Sequence, residues 1–174
     1  MSLHVKPLLG AAAVVTALAL APAAAHAAAP YSPLDEQILR SSIQGDRFEV
    51  IGGRIAETHA GSVRVKHLGT RLVKDHTKSL REAVALAKRL GISVPSTPST
   101  TEEWELAVVF GLSGNAFDIV YSRLEIQDHK QDIEDVHTEL QGGLNADVRA
   151  LERKDLPTLR YHLHLSKLAW WAST

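Results

Sequence analysis

Apolar and small side chains recur at steps of three and four along four long stretches of this chain, and nowhere does strand-like alternation appear. The first stretch opens at Ser32-Pro33-Leu34-Asp35, with serine as N-cap, proline at the first helical position and acid in the first turn. It runs to about His59 on the stripe Ile38, Ser42, Gly45, Glu49, Gly52, Ala56. Glycine weakens a helix interior, so Gly45, Gly52 and Gly53 predict close approach by a neighbour. Gly61-Ser62 breaks and recaps the chain. A second helix follows to about Leu90 on Val65, Gly69, Leu72, His76, Leu80, Ala83 and Ala87, with Gly91 as C-cap.

Ile92 to Thr101 is a Ser/Thr/Pro-rich connection. Thr100-Thr101-Glu102-Glu103 reads as a capping box for a short helix ending near Gly111. The third long helix spans about Asn115 to Gln141, with Phe117, Tyr121, Leu124, His129, Ile133, Val136 and Leu140 inward. After Gly142-Gly143, Asn145 caps the fourth, which carries Val148, Leu151, Leu159, His162, Leu165 and Ala169. Pro157 removes one backbone donor inside this helix and predicts a kink. The expectation is an all-α protein, a four-helix bundle with a short extra helix between the second and third long helices.

The N-terminal segment reads as an export signal. His4 and Lys6 precede an apolar run from Leu8 to Ala21, and Ala25-His26-Ala27 offers a small-x-small cleavage site. The run is short for a membrane anchor, and no later stretch can span a bilayer. The expected organisation is therefore a signal peptide over 1–27, a tail over 28–33 and a bundle domain over 34–171, exported to a periplasm or the medium. Without Lys6 the chain carries 18 basic residues (19 − 1) against 20 acidic, which argues against a nucleic-acid partner. Cysteine is absent, which rules out disulfides and thiolate metal sites.

Charge placement changes the picture most. Glu49, His76, His129 and His162 fall on inward stripes, one per long helix. At 1.5 Å of rise per residue, Glu49 and His76 lie about 17 and 23 Å from the turn joining their helices. His129 and His162 lie about 22 and 28 Å from theirs. All four share a mid-bundle layer whichever way the hairpins are arranged. Imidazole and carboxylate are ligands for zinc, copper or iron, so this layer is a candidate divalent metal site. Asp75 and Asp128 each precede a histidine and are candidates for orienting it from outside the ligand set, and Tyr121, two turns before His129, reaches the same layer. Glu134-x-x-His137 lies off the core stripe; His59, His67 and His164 are expected to face solvent; Trp170-Trp171 is expected to clasp the last turn. No nucleophile-elbow, phosphate-loop or His-Glu-x-x-His motif occurs.

Four motifs in register carry a resemblance. Val73-Lys74-Asp75-His76-Thr77-Lys78, Ser113-Gly114-Asn115-Ala116-Phe117-Asp118 with Tyr121, Asp128-His129, and Leu156-Pro157-Thr158-Leu159-Arg160-Tyr161-His162-Leu163 occur in that order. The chain resembles, from about Asp35 to Lys167, the bacterial exported domain-of-unknown-function family often labelled "predicted outer membrane protein". The resemblance implies a ferritin-like four-helix fold, a crossover through the connection and short helix, a place outside the cytoplasm, and shared positions at His76, His129, His162 and Glu49. It supplies no activity. Arg64 and Val65 depart from the family's usual Pro-Glu or Glu-Val. A transmembrane barrel would need alternating strands, which this chain lacks.

Di-iron bundles place Glu-x-x-His on two helices, whereas Val73 and Leu159 stand three before His76 and His162. A histidine-rich, mononuclear set is the expectation, in a binding rather than catalytic role. Two other readings stand beside it: a structural or interaction module with a hydrogen-bonded histidine core, and a metal-dependent enzyme of unknown substrate.

Overall fold

The computed structural model describes residues 30–174; the stretch expected to be a signal peptide and the start of the expected tail lie outside them. Five helices follow in order: α1 (Pro33–His59), α2 (Val63–Leu90), α3 (Thr100–Phe110), α4 (Gly114–Gly142) and α5 (Ala146–Ser173). The capping signals act largely as read. Ser32 and Asp35 form a reciprocal capping box, Gly91 closes α2 in the left-handed region (φ 74°), and Asn145 accepts from the backbone of Asp147 and Val148. One cap shifts: α3 is capped by Ser99 with Glu102, one residue before the expected Thr100, a pair with the same three-residue spacing as Thr100 and Glu103. Helix α5 runs unbroken through Pro157.

Tertiary hydrogen bonds fix the direction of each helix. The Asp118 carboxylate, in the first turns of α4, accepts from the backbone of Gly61 and Ser62 between α1 and α2 (3.1 and 2.8 Å). Gly114 pairs with Ala60 at the same end. At the opposite end, Asn145 before α5 donates its backbone N–H to Asp35 in the first turn of α1 (2.9 Å). So α1 and α5 run one way and α2 and α4 the other. The up-down-down-up order requires one long crossover. That crossover climbs α1: Arg40 and Arg47 donate to the carbonyls of Ser93 and Pro95, and Phe110 stacks near His59. Around the bundle each long helix has two main neighbours, α1 and α5 each packing against α2 and α4.

The apolar core is divided. One cluster, with Leu39, Ile43, Ala83, Leu86 and Val148, fills the end near Asp35. The other, with Ala56, Val65, Leu72, Phe117 and Tyr121, fills the end near Ala60. A polar layer lies between them. Helices α1 and α2 cross at Gly53 and Gly69, where a Cβ on Gly53 would stand 2.7 Å from the Gly69 carbonyl oxygen. Gly45 and Gly52 face acidic and aromatic side chains instead of another backbone.

Several expected core positions shift. Leu80, Leu124, Ile133, Leu140, Leu151 and Leu165 are only half-buried, while Glu125, Glu139 and Glu152 are buried. A polar layer draws the inward faces of α4 and α5 onto residues that a hydropathy criterion sends outward. Trp171 is 63% exposed while Trp170 is half-buried, and His59, expected in solvent, is half-buried against Phe110 and Phe117. His67 and His164 face solvent.

Candidate metal centre

His76 from α2, His129 from α4 and His162 from α5 converge in the polar layer. Their ring centroids lie 5.1–5.7 Å apart, and one nitrogen from each falls within 4.8 Å of the other two. Each ring is anchored through one nitrogen. His76 Nδ1 pairs with Asp46 Oδ1 at 2.7 Å, His162 Nε2 with Asp75 Oδ2 at 2.9 Å, and His129 Nδ1 with the Glu125 carbonyl oxygen at 2.9 Å. The second nitrogens of His76 and His162 meet, Nε2 to Nδ1, at 3.2 Å.

Proton placement follows from the partners. A carbonyl oxygen only accepts, so His129 Nδ1 carries the hydrogen and Nε2 of the neutral ring keeps a bare lone pair. That Nε2 is buried and makes no hydrogen bond. Burial holds all three imidazoles in the neutral form. It lowers His76 and His162 to about 4 and drives His129 well below its ordinary value, with mutual repulsion adding to the shift at His129 and His162. Burial opposes ionisation of Asp75, but hydrogen bonds from His162 and Arg71 outweigh it and hold the carboxyl below its ordinary value. Asp75 is thus an anionic acceptor, which leaves Nδ1 of His162 as a free lone pair.

A second group lies beside this one. Glu49 from α1 and Asp128 from α4 each bring a carboxylate oxygen within 4.8 Å of a His129 nitrogen and of each other, and Glu125 adds a third carboxyl. Glu49 Oε1 stands 3.5 Å from His129 Nδ1 and Glu125 Oε2 stands 3.7 Å from it, on the ring's proton-bearing side. Burial raises all three carboxyls, Glu125 to about 8 and Asp128 to about 6, and repulsion from Glu125 and Asp128 adds to the rise at Glu49. The Tyr121 hydroxyl faces Glu125 and Glu49 and is itself pushed up by burial and by those acids.

A cavity of about 320 Å³, lined from all four long helices, reaches His76 and His162 but not His129. His76, His162, Asp46, Asp75 and Glu152 line it, and the exposed Lys78 and Lys154 flank its mouth. Burial raises Asp46 well above the ordinary aspartate value and Glu152 to about 8.

Three of the four residues singled out as ligands thus form one converging set, and Glu49 sits in the adjoining carboxylate set. Asp75 orients His162. Asp128 touches no histidine through a hydrogen bond and faces Glu49. Tyr121 reaches the carboxylates, not the imidazoles. Asp46, Glu125 and Glu152 were not singled out from the sequence. Glu125 carried a signal, since it stands four after Tyr121 and four before His129 on one helix face. Asp46, three before Glu49, carried a similar one.

Up-down-down-up packing with a histidine and carboxylate layer at mid-height makes this an all-helical bundle with a polar core. The chain belongs to the family described as Domain of unknown function (DUF4142), whose model matches residues 20–167. Among solved structures it is similar to the DUF305 fragment from Deinococcus radiodurans, at 16% identity and a TM-score of 0.72. The match covers 83% of this chain and 99% of that one, and it shows a shared fold. No curated protein matches the chain. Among the described residues no helix is long and apolar enough to cross a membrane.

Proposed function

We propose that this protein is exported and holds one divalent transition metal, of the zinc, copper or iron type, on His76, His129 and His162. The observation that carries the reading is the division of labour within each ring: one nitrogen is anchored and the other turns to its neighbours. Metal-binding histidines are oriented in this way, with the far N–H on a carboxylate or carbonyl. The separation of 3.2 Å between His76 Nε2 and His162 Nδ1 also fits two ligands on one tetrahedral ion. Zinc–nitrogen bonds of about 2.0–2.1 Å put such ligands about 3.3–3.4 Å apart. The cavity beside His76 and His162 gives solvent or a small ligand a path to a fourth position. Export rests on the leader-like pattern of the first 27 residues.

A second reading has its own support. Burial favours a protonated Asp46, which would donate to His76 Nδ1; His76 Nε2–H would then donate to His162. The layer would be a hydrogen-bonded core with no ion.

Elemental analysis of untagged protein separates the two. Stoichiometric metal in the wild type, lost from the His76→Ala, His129→Ala double variant, supports the metal centre. Metal-free protein whose melting temperature is unmoved by zinc, copper and ferrous ions would leave the hydrogen-bonded core. For export, the cell fraction holding the protein and its N-terminal residue are decisive: a cytosolic chain still beginning at Met1 refutes the leader.

A further inference from the structure

Beyond the three-histidine reading, we propose that Glu49, Glu125 and Asp128 form a second cation site, closed by Tyr121 and suited to a hard divalent ion of the manganese type. It uses no coordinating histidine nitrogen, so it does not depend on metal at the trio.

The argument starts from unsatisfied oxygen. Both carboxyl oxygens of Glu49, both of Glu125 and Oδ2 of Asp128 are buried without a hydrogen bond. The Tyr121 hydroxyl, on a residue 1% exposed, faces Glu125 and Glu49 in the same space without a well-formed hydrogen bond. It is a phenol and not a carboxyl, so it is a polar group at the site beyond the acidic cluster itself. Buried polar atoms are rarely left this way. No cationic side chain compensates: among the described residues the ion pairs of Glu49 and Glu125 are to His129 alone, and Asp128 has none. His129 offers only its proton-bearing Nδ1, already committed to the Glu125 carbonyl.

Gly52 lies one turn beyond Glu49, and a Cβ there would stand 3.4 Å from the Tyr121 ring and 3.8 Å from Glu125 Oε1. Glu102 and Glu105 on α3 add negative field at Asp128 from the crossover side. Oxygen donors select hard ions, and calcium, which takes six to eight oxygens, would be satisfied here only if every carboxylate bound through both of its oxygens. Magnesium keeps several waters, which a closed nest of this kind resists, so manganese fits best.

The test uses the full untagged chain, stripped with chelator, saturated with Zn²⁺ to fill the trio, and then titrated with Mn²⁺. Loss of the free-ion EPR signal and elemental analysis after desalting read the result. One Mn²⁺ per chain is expected beside one Zn²⁺. Glu125→Gln and Asp128→Asn should each weaken Mn²⁺ by at least about tenfold while keeping zinc stoichiometry, tenfold being the lower bound for loss of even an outer partner. Asp128 is half-buried, so its variant gives the answer if Glu125→Gln fails to fold. His76→Ala, His162→Ala should lose zinc and keep manganese. Zinc-loaded wild type that binds no Mn²⁺ more tightly than about 1 mM, the weak limit of biological oxygen sites, overturns the proposal. So does unchanged Mn²⁺ affinity in both carboxylate variants. Failure of the histidine reading is distinct: it shows as zinc binding that persists in the histidine variant.

Discussion

His162 reaches across from α5 to the aspartate that immediately precedes His76 on α2, so one Asp-His dipeptide both supplies an imidazole and orients the imidazole facing it. Removing such an outer acceptor typically lowers metal affinity about 10–100-fold. Asp75→Asn is expected to weaken zinc within that range while one ion per chain still binds at saturation. Asp46→Asn should do the same through His76. Calorimetric titration of chelator-stripped protein checks both, and affinity unchanged in both variants would detach the aspartates from the centre.

An ion bound only by the folded state stabilises it by mass action. At a free zinc concentration of 100 Kd the gain is about 2.7 kcal/mol. For a chain of this size that corresponds to roughly 5–11 °C in melting temperature. A scan with and without zinc, reversed by chelator, measures it, and the shift should vanish in His76→Ala, His129→Ala.

The crossing of α1 and α2 predicts opposite outcomes at two glycines on one helix. A Cβ at position 53 would stand 2.7 Å from the Gly69 carbonyl oxygen and 2.8 Å from Val73 Cγ2. Gly53→Ala must force the helices apart, at a cost of about 1–3 kcal/mol. At position 45 the nearest atoms, Asp132 Oδ1 and Glu102 Oε1, stand 3.7 and 3.9 Å away. Gly45→Ala should therefore be neutral or gain up to about 1 kcal/mol from helix propensity. Urea unfolding of the two variants side by side reads the contrast.

Glu139 predicts a pH dependence remote from the histidines. It is buried at the Asp35 end, where burial and then the neighbouring Asp35 raise its carboxyl from 4.5 to about 7, against a smaller opposing pull from Arg149. Asp35 stays ionised: burial opposes this, but hydrogen bonds from Ser32 and Asn145 hold it at about 2. Between about 4.5 and 7 the folded chain keeps a proton on Glu139 that the unfolded chain has released, so this group's stabilisation falls as pH rises through that window. It is fully present below 4.5 and flat above 7. The stability difference between wild type and Glu139→Gln, measured by urea unfolding at several pH values, should follow that course; a difference constant from pH 4 to 8 would contradict it.

Local chemistry in the chain determined the helices, their caps and the height of the histidines. Hydrogen bonds three and four residues apart and a fixed rise per residue act within one segment, so Ser32, Gly91, Asn145 and the shared level of His76, His129 and His162 were all legible. The capping shift to Ser99 is a one-residue error of the same local kind. The tertiary structure alone decided the rest. Asp118 gripping Gly61 and Ser62 sets the direction of α4. The ring order then places α1 beside α4, which brings Glu49 against the proton-bearing side of His129, away from the bare Nε2. Asp46, Glu125 and Glu152 were missed because hydropathy assigns acids to solvent, and only neighbouring helices can turn such a face inward. Periodicity reports which residues share a side; what that side meets depends on contacts between segments far apart in the chain.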